Sequence, residues 1–471
     1  MSLQVVLHRL TPSGGQNFPV CVDLGLAYLL KALEQNGVEA AYHDGVLHPT
    51  AADDLLARYG RDEPWLLGLK LYSHQIGPAR ALLRRLKDRN PRIVAVLGGP
   101  HPSGLVEQVF ATVPEADYAF VGEGEPGLPR LAREGASPGD WRGEVPGLIW
   151  RDGETVRANP PDYVADLDAF GEAPWDRVGL AEYLPYRTPI RNAALVPIHT
   201  SRGCAFHCTY CMGHRLTGHR VRYRSPERVV AEIARLRRDY GVESVSIQDD
   251  NFTSRREHVV GFCEALLRAG LGVRWDCLST GVRLDALDAD LLRLMERSGC
   301  HALSLAVESA NQEVLDDMRK GTKLTAVAET IRLIKRETRL TTNGYFILGY
   351  PTETRRTVAN SIRFARRAGL DYALFFLFSP LPGTEITARL QRAGRLGDID
   401  WESFQYDAPS VPLPDLSRGG LKRRQLWAYL SFYLRPRAFW RLLRTAAGAG
   451  QRGDLRRRLA SLLGRRASRE S

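Results

Sequence analysis

Long apolar runs are missing from this 471-residue chain. No uncharged apolar stretch reaches the ~18 residues that span a bilayer, and residues 1–10 lack the charged and apolar regions of a secretory leader. Cysteine is scarce as well. There are seven, an odd number, with Cys204, Cys208 and Cys211 clustered and Cys21, Cys263, Cys277 and Cys300 scattered. That pattern excludes the disulfide framework of a secreted domain and points to a reducing compartment. The scattered four are expected to behave as small apolar residues. A charge imbalance is missing from most of the chain. Residues 416–471 hold 15 Lys and Arg against 2 Asp and Glu, whereas the other 415 residues hold 50 against 52. The net charge of +11 therefore belongs to the tail and says little about the body. Together these absences describe a soluble, cytoplasmic protein.

What is present is alternation. At roughly 150 residues per unit the length allows about three units, and 44% hydrophobic residues can fill their cores. Residues 3–7, 65–71, 93–97 and 118–121 read as buried strands, separated by helical segments at 23–36 and 77–89. That order predicts an α/β unit with an open, Rossmann-like parallel sheet over residues 1–135. Ligands of such sheets bind beyond the carboxyl ends of the strands. There the chain carries Tyr72-Ser73-His74, Gly98-Gly99-Pro100-His101 and Gly122-Glu123-Gly124-Glu125. Glycine lets a bulky ligand approach the backbone closely. Residues 136–190 form a connection, with an Asp152-Gly153 hairpin turn and an Asn159-Pro160-Pro161 breaker.

From 191 to about 400 the alternation resumes. Strands at 194–198, 244–248, 273–278, 301–307, 342–348 and 372–378 alternate with helices, one of them opened by Ser225 as cap and Pro226 as first helical residue. Polar residues close the strands: Asp249 and Asp250, Arg283, Glu308 and Ser309. A (β/α)6 partial barrel with its site at the carboxyl ends follows. The first of these strands runs into Cys204-Ala205-Phe206-His207-Cys208-Thr209-Tyr210-Cys211, a CxxxCxxC loop. Three soft thiolates suit zinc or an iron–sulfur cluster. A zinc loop needs a fourth ligand, for which His207 or His214 is available. A cubane held by three cysteines instead leaves one iron open.

This spacing, with an aromatic residue before the last cysteine, resembles the radical S-adenosylmethionine (SAM) superfamily. The segments VRYRSPERVVAEI, IQDDNFT, LAVESANQEVLDDMRKGT and NGYFILGYPTET resemble its cobalamin-dependent subgroup, and LGGPHPS with DYAFVGEGE resembles the cobalamin-binding domain found there. The resemblance covers about residues 1–440. It implies a [4Fe–4S] cluster on Cys204, Cys208 and Cys211, and SAM chelated to the open iron. Tyr210 would lie by the adenine, Asp249, Asp250, Glu308 and Ser309 near the polar groups of SAM, and Arg283 near its carboxylate. Cobalamin would lie among Tyr72, Ser73, His74, Gly98, Gly99, His101, Gly122 and Glu123. The DxHxxG pattern that supplies a histidine to cobalt is absent from the first strand's exit, so no histidine ligand is expected, with His74 as the residue that could prove otherwise.

The activity implied is methyl transfer from methylcobalamin to a substrate carbon, after hydrogen abstraction by a 5′-deoxyadenosyl radical. A cyclase or ring-rearranging reaction with the same cofactors is the alternative. No catalytic residue is assigned. The implied partners are a small biosynthetic intermediate and an external electron donor such as flavodoxin or ferredoxin. A methylthiotransferase acting on RNA would need a second three-cysteine cluster in the N-terminal domain, where only Cys21 is found, so no nucleic acid substrate is expected. The tail, 401–471, is expected to be helical and basic. It packs on the barrel, docks on a membrane surface or a substrate, or contacts nucleic acid, and residues 456–471 are expected to fray.

Replacing Cys204, Cys208 and Cys211 together by alanine is expected to abolish iron binding and SAM cleavage, read by iron assay and deoxyadenosine release. Retained iron in the triple variant would show that the cluster lies elsewhere.

Overall fold

The computed structural model describes residues 3–11, 20–135, 140–188, 190–397, 399–401 and 411–441. The first strand's exit beyond Thr11, most of the aromatic, proline-rich run at 401–415 and the tail beyond Arg441 lie outside the described residues. The chain divides into two compact units, each assembled from separate stretches.

The first unit comprises residues 1–183, 201–225 and 380–405. Its sheet is built from β1 (Gln4–Arg9), β2 (Ala40–Asp44), β3 (Trp65–Lys70), β4 (Val94–Gly98), β5 (Tyr118–Phe120), β6 (Leu148–Asp152) and β7 (Thr155–Ala158), in the order β2-β1-β3-β4-β5-β6-β7. The strands from β2 to β5 are parallel. Val5, Val6 and Leu7 are buried in succession, as a strand covered on both faces requires. The helix Leu24–Gln35 is capped by Asp23, which accepts from Leu26 N at 3.1 Å and also pairs with Lys70 Nζ at 2.8 Å. The hairpin expected within the connection adds two strands to this sheet instead. Phe120 of β5 pairs antiparallel with Leu148 of β6, and Leu148 and Ile149 are fully buried, so the hairpin covers an edge that β5 would otherwise leave open.

Two short hairpin strands, β8 (Arg187–Thr188) and β9 (Ala193–Ala194), precede β10 (Pro197–Ile198) in the second unit, which comprises residues 184–200, 226–379 and 406–471. A second hairpin, β11 (Ser201–Arg202) and β12 (Arg222–Tyr223), belongs to the first unit and brackets the cysteines. The barrel strands continue as β13 (Ser244–Ile247), β14 (Arg274–Val282), β15 (Cys300–Glu308), β16 (Thr341–Leu348) and β17 (Tyr372–Leu377). All six strands of this sheet are parallel, in sequence order from β10 to β17. The strand expected over 194–198 is reduced to two paired residues. Pro197 has no N–H to give, so the ladder runs on carbonyls: Ser246 N donates to Val196 O at 2.8 Å and Gln248 N to Ile198 O at 2.9 Å.

Helices Pro226–Tyr240, Arg256–Ala269, Ala289–Arg297, Leu324–Glu337 and Arg355–Arg367 alternate with these strands. Phe252, Phe262 and Trp275 meet edge to face in the core. The helix Arg418–Tyr433 covers the edge strand. Tyr429 and Tyr433 each use one hydroxyl to accept the N–H and approach the C=O of a residue in β17, Phe375 (3.1 and 3.4 Å) and Ala373 (3.2 and 3.0 Å). Gln425 Nε2 adds a bond to Phe375 O at 2.8 Å. No helix among the described residues is long and apolar enough to cross a membrane.

Candidate cofactor sites

The cysteine loop is clamped at its base by β11 and β12, with Ser201 opposite Tyr223 and Arg202 opposite Arg222. Gly203 follows at φ 98°, and a Cβ there would lie 2.4 Å from Arg220 O, so only glycine closes this base. Within the loop Cys204 N donates to Gly218 O (3.2 Å), Cys211 N to Cys208 O (3.1 Å) and Gly213 N to Cys211 Sγ (3.3 Å). A backbone N–H aimed at a cysteine sulfur is the environment of a thiolate ligand. Cys204 and Cys208 are half-buried and Cys211 is exposed. Cys263, Cys277 and Cys300 are buried, and burial raises each thiol, Cys263 to about 12. They are core residues, whereas the loop cysteines can reach a ligand. His214 stacks on His219 at 4.7 Å between centroids, and His207 lies tilted against it at 4.2 Å. Tyr210 is half-buried in the loop.

The arginines at the loop's base are buried, and no local pattern marks their role. Arg222 makes a bidentate pair with Glu123 at 2.7 and 2.9 Å and donates to Val164 O and Thr217 O. Arg202 pairs with Glu125 at 2.8 Å and lies 3.5 Å from Glu123, with its guanidinium over the Tyr28 ring. Two cations and two anions thus join the cysteine hairpin to the loop after β5. Both oxygens of Glu123 are occupied by this pairing, so its part in cobalamin binding would be indirect.

At the carboxyl ends of β3 and β4, Gly99 adopts φ 93°, and a Cβ on Gly98 would meet nothing within 4 Å. This is a bare backbone cradle with room beside it. Ser73 Oγ bonds His101 Nδ1 at 3.0 Å, and His101 Nε2 bonds Thr112 Oγ1 at 3.0 Å. Burial lowers His101 and His74 to about 4, so both are neutral at pH 7. Tyr72 lies under Lys70 Nζ at 5.6 Å, with the His74 ring 5.8 Å away. Gly122, at φ 77°, accepts no side chain, because a Cβ would lie 2.9 Å from Pro161 Cβ.

In the second unit the polar strand ends divide by role. Asp249 is fully buried, accepting from Thr200 N at 2.7 Å and Thr200 Oγ1 at 2.5 Å. Thr200 Oγ1 also bonds His258, which burial holds near 4. Asp249 therefore anchors the residue that precedes the cysteine hairpin, while Asp250 is exposed. Arg283 pairs with Asp285 at 2.8 Å and donates to Lys320 O at 2.8 Å, bracing the backbone of the 320–322 turn. Lys320 in turn reaches Glu308 Oε1 at 3.3 Å. Glu308 sits at φ 62°, beside a register shift in β15, and is buried. A non-glycine residue held there costs of order 1–3 kcal/mol and marks a constrained position. Ser309 is buried and accepts from Asn311 Nδ2 at 3.2 Å. Glu353, after β16, accepts from Gly349 N and Tyr350 N at 2.7 and 3.3 Å. Burial outweighs these bonds and raises its carboxyl to about 8.

Two family models cover these sites. A radical SAM superfamily model matches residues 198–365, and a B12 binding domain model matches residues 18–132. The chain is 30% identical over 443 residues to cytidylyl-2-hydroxyethylphosphonate methyltransferase of Streptomyces wedmorensis, covering 83% of this chain and 81% of that one. It is 28% identical over 426 residues to the anaerobic magnesium-protoporphyrin IX monomethyl ester cyclase of Cereibacter sphaeroides, covering 88% and 68%. The fold matches the radical S-adenosylmethionine methyltransferase TsrM of Kitasatospora setae, with a TM-score of 0.69 at 19% identity over 85% of this chain and 80% of that chain. The chain belongs to the radical SAM superfamily, among the members that carry a B12 binding domain. The two family models give SAM and cobalamin (B12) as its cofactors.

Breaking a buried ion pair from one side typically costs about 3–5 kcal/mol. Glu123→Ala is expected to lower the unfolding midpoint accordingly and to expose the cysteine hairpin to proteolysis. An unchanged melt would show that the four-charge cluster does not hold the hairpin. Glu353 has the opposite sign from a paired carboxylate. Its folded pKa is raised, so its contribution to stability is present below about 4.5 and is lost as pH rises to about 8. Glu353→Gln is expected to flatten that fall in melting temperature, measured by calorimetry across this range.

Proposed function

We propose that this protein is a C-methyltransferase that acts on a small biosynthetic intermediate. The observation that carries the reading is the 30% identity to a phosphonate methyltransferase across both cofactor regions. When bound, the cluster and SAM supply a 5′-deoxyadenosyl radical, and cobalamin supplies the methyl group. The chain's own residues bind and position. Cys204, Cys208 and Cys211 hold the cluster, with the Gly213 N–H supporting the Cys211 sulfur. Tyr210 takes the adenine. Glu308, Ser309 and Asp250 take the amino and hydroxyl groups of SAM, while Asp249 and Arg283 hold the backbone that presents them. The bare backbone at Gly98 and Gly99 admits the nucleotide tail of cobalamin, with Tyr72, Ser73, His74, His101 and Gly122 around it. Neutral His74 is not assigned to the cobalt. A flavodoxin or ferredoxin supplies electrons, and the reducing cytoplasm keeps the loop thiols available.

A second reading keeps the cofactors and changes the product. The 28% identity to a tetrapyrrole cyclase favours it. SAM labelled in its methyl group separates the two under anaerobic, reducing conditions. Label appearing on protein-bound cobalamin supports methyl transfer. Deoxyadenosine without label on cobalamin supports the cyclase reading.

Glu308→Gln keeps the shape of this strained residue and removes its charge. Losing a charge-assisted hydrogen bond costs roughly 1.5–3 kcal/mol, a 10- to 150-fold weakening. The variant is expected to bind SAM more weakly by that factor with its cluster intact. Unchanged affinity with lost single-turnover cleavage would instead make Glu308 a catalytic group.

A further inference from the structure

The helix Arg418–Tyr433 has two faces of different character. Leu421, Gln425, Ala428 and Phe432 are buried, and Tyr429 and Tyr433 bond the edge of β17. Arg423, Trp427, Leu430 and Leu434 recur at the spacing of a single helical stripe on the other side. Trp427, Leu430 and Leu434 are 54%, 40% and 68% exposed. Helical backbone resumes at 436–441 and adds Phe439 and Trp440, the latter 62% exposed. Five of the eight large apolar side chains exposed among the described residues are thus gathered within fourteen positions. Arg418, Lys422, Arg423 and Arg437 are exposed around them, and no acid occurs from Leu416 to Gly453.

Three partners could cover such a surface. A second copy of the chain would bring the same cations into contact with these and repel. A nucleic acid would match the cations but leave Leu430 and Leu434 with nothing apolar to meet. An anionic bilayer satisfies both: indole rings settle at the headgroup level, leucines reach the acyl boundary, and guanidinium groups meet lipid phosphates. We propose that this face docks the protein onto an anionic lipid bilayer. The inference is independent of the reaction assigned above. It concerns a surface on which no cofactor residue lies.

The test uses full-length protein and vesicles of phosphatidylcholine alone or mixed with phosphatidylglycerol. The protein is expected to sediment with the mixed vesicles and not with neutral ones, and to release at high salt. Trp427→Glu with Leu434→Glu is expected to lower the partition coefficient at least about tenfold. These positions are exposed, so the melt and cobalamin binding of the double variant should match the parent and certify its fold. Arg423→Gln with Arg437→Gln is expected to give a smaller loss and a weaker salt dependence. Absence of vesicle binding, or equal binding by the Trp427/Leu434 variant, overturns the proposal. Binding lost only on removal of the residues after Arg441 assigns it to that segment and overturns the assignment to this face. A dimer that dissociates in the double variant, or RNA binding that the double variant loses, overturns it in favour of that partner.

Discussion

Four buried charges hold the first unit's chemistry in place. Arg202 and Arg222 leave the cysteine hairpin, and Glu123 and Glu125 leave the loop after β5. Removing a charge from water costs several kcal/mol per ion even after relaxation. The cluster persists because each charge has a partner at hydrogen-bond distance and because the sum of the four is zero. Such an arrangement adds little net stability over an apolar contact of equal volume. What it adds is position. A bidentate guanidinium–carboxylate pair fixes direction as well as distance, whereas an apolar contact can slide. The thiols of the loop consequently have a fixed relation to the parallel sheet of the same unit.

The second unit uses the same device on a smaller scale. Arg283 grips the backbone at Lys320, Lys320 grips Glu308, and Glu308 is held in a left-handed conformation that its side chain would not choose alone. Thr200 is gripped from two sides, by Asp249 through its backbone and hydroxyl, and by His258. Few of these groups are available to a ligand. Polar residues at barrel mouths therefore sort into those that touch and those that brace, and in this protein Asp249 and Arg283 brace.

The alternation of strands and helices, the parallel sheets and the cysteine loop were legible in the sequence because each rests on local pattern. The Gly98-Gly99 turn was legible for the same reason, since a bare backbone after a buried strand has few other uses. The strand β2 has no such local mark: Ala40-Ala41-Tyr42-His43-Asp44 is short and half polar, and only its pairing with β1 makes it a strand. The strand into the cysteine loop is shorter than its apolar run because Pro197 interrupts its donors, not its apolar character. The roles of Glu123, Asp249 and Arg283 were hidden for another reason. Their partners lie 99, 49 and 37 residues away in sequence, and no periodicity reports a contact over such spans. Glu308 was correctly placed at the end of its strand, but its strain is a backbone property that residue type does not display.

The Tyr429 and Tyr433 hydroxyls that close off β17 bear on how the protein is made. Until their helix arrives, β17 presents a row of unpaired N–H and C=O groups, the kind of edge that recruits a strand from another chain. Tyr433 leaves the ribosome 56 residues after Leu377. At roughly 5–20 residues per second the edge stays bare for about 3–11 s, long compared with the microseconds a hairpin takes to form. Nascent chains on one message pass through that window side by side. Slower synthesis across 378–433 therefore lengthens the time for which that edge is bare.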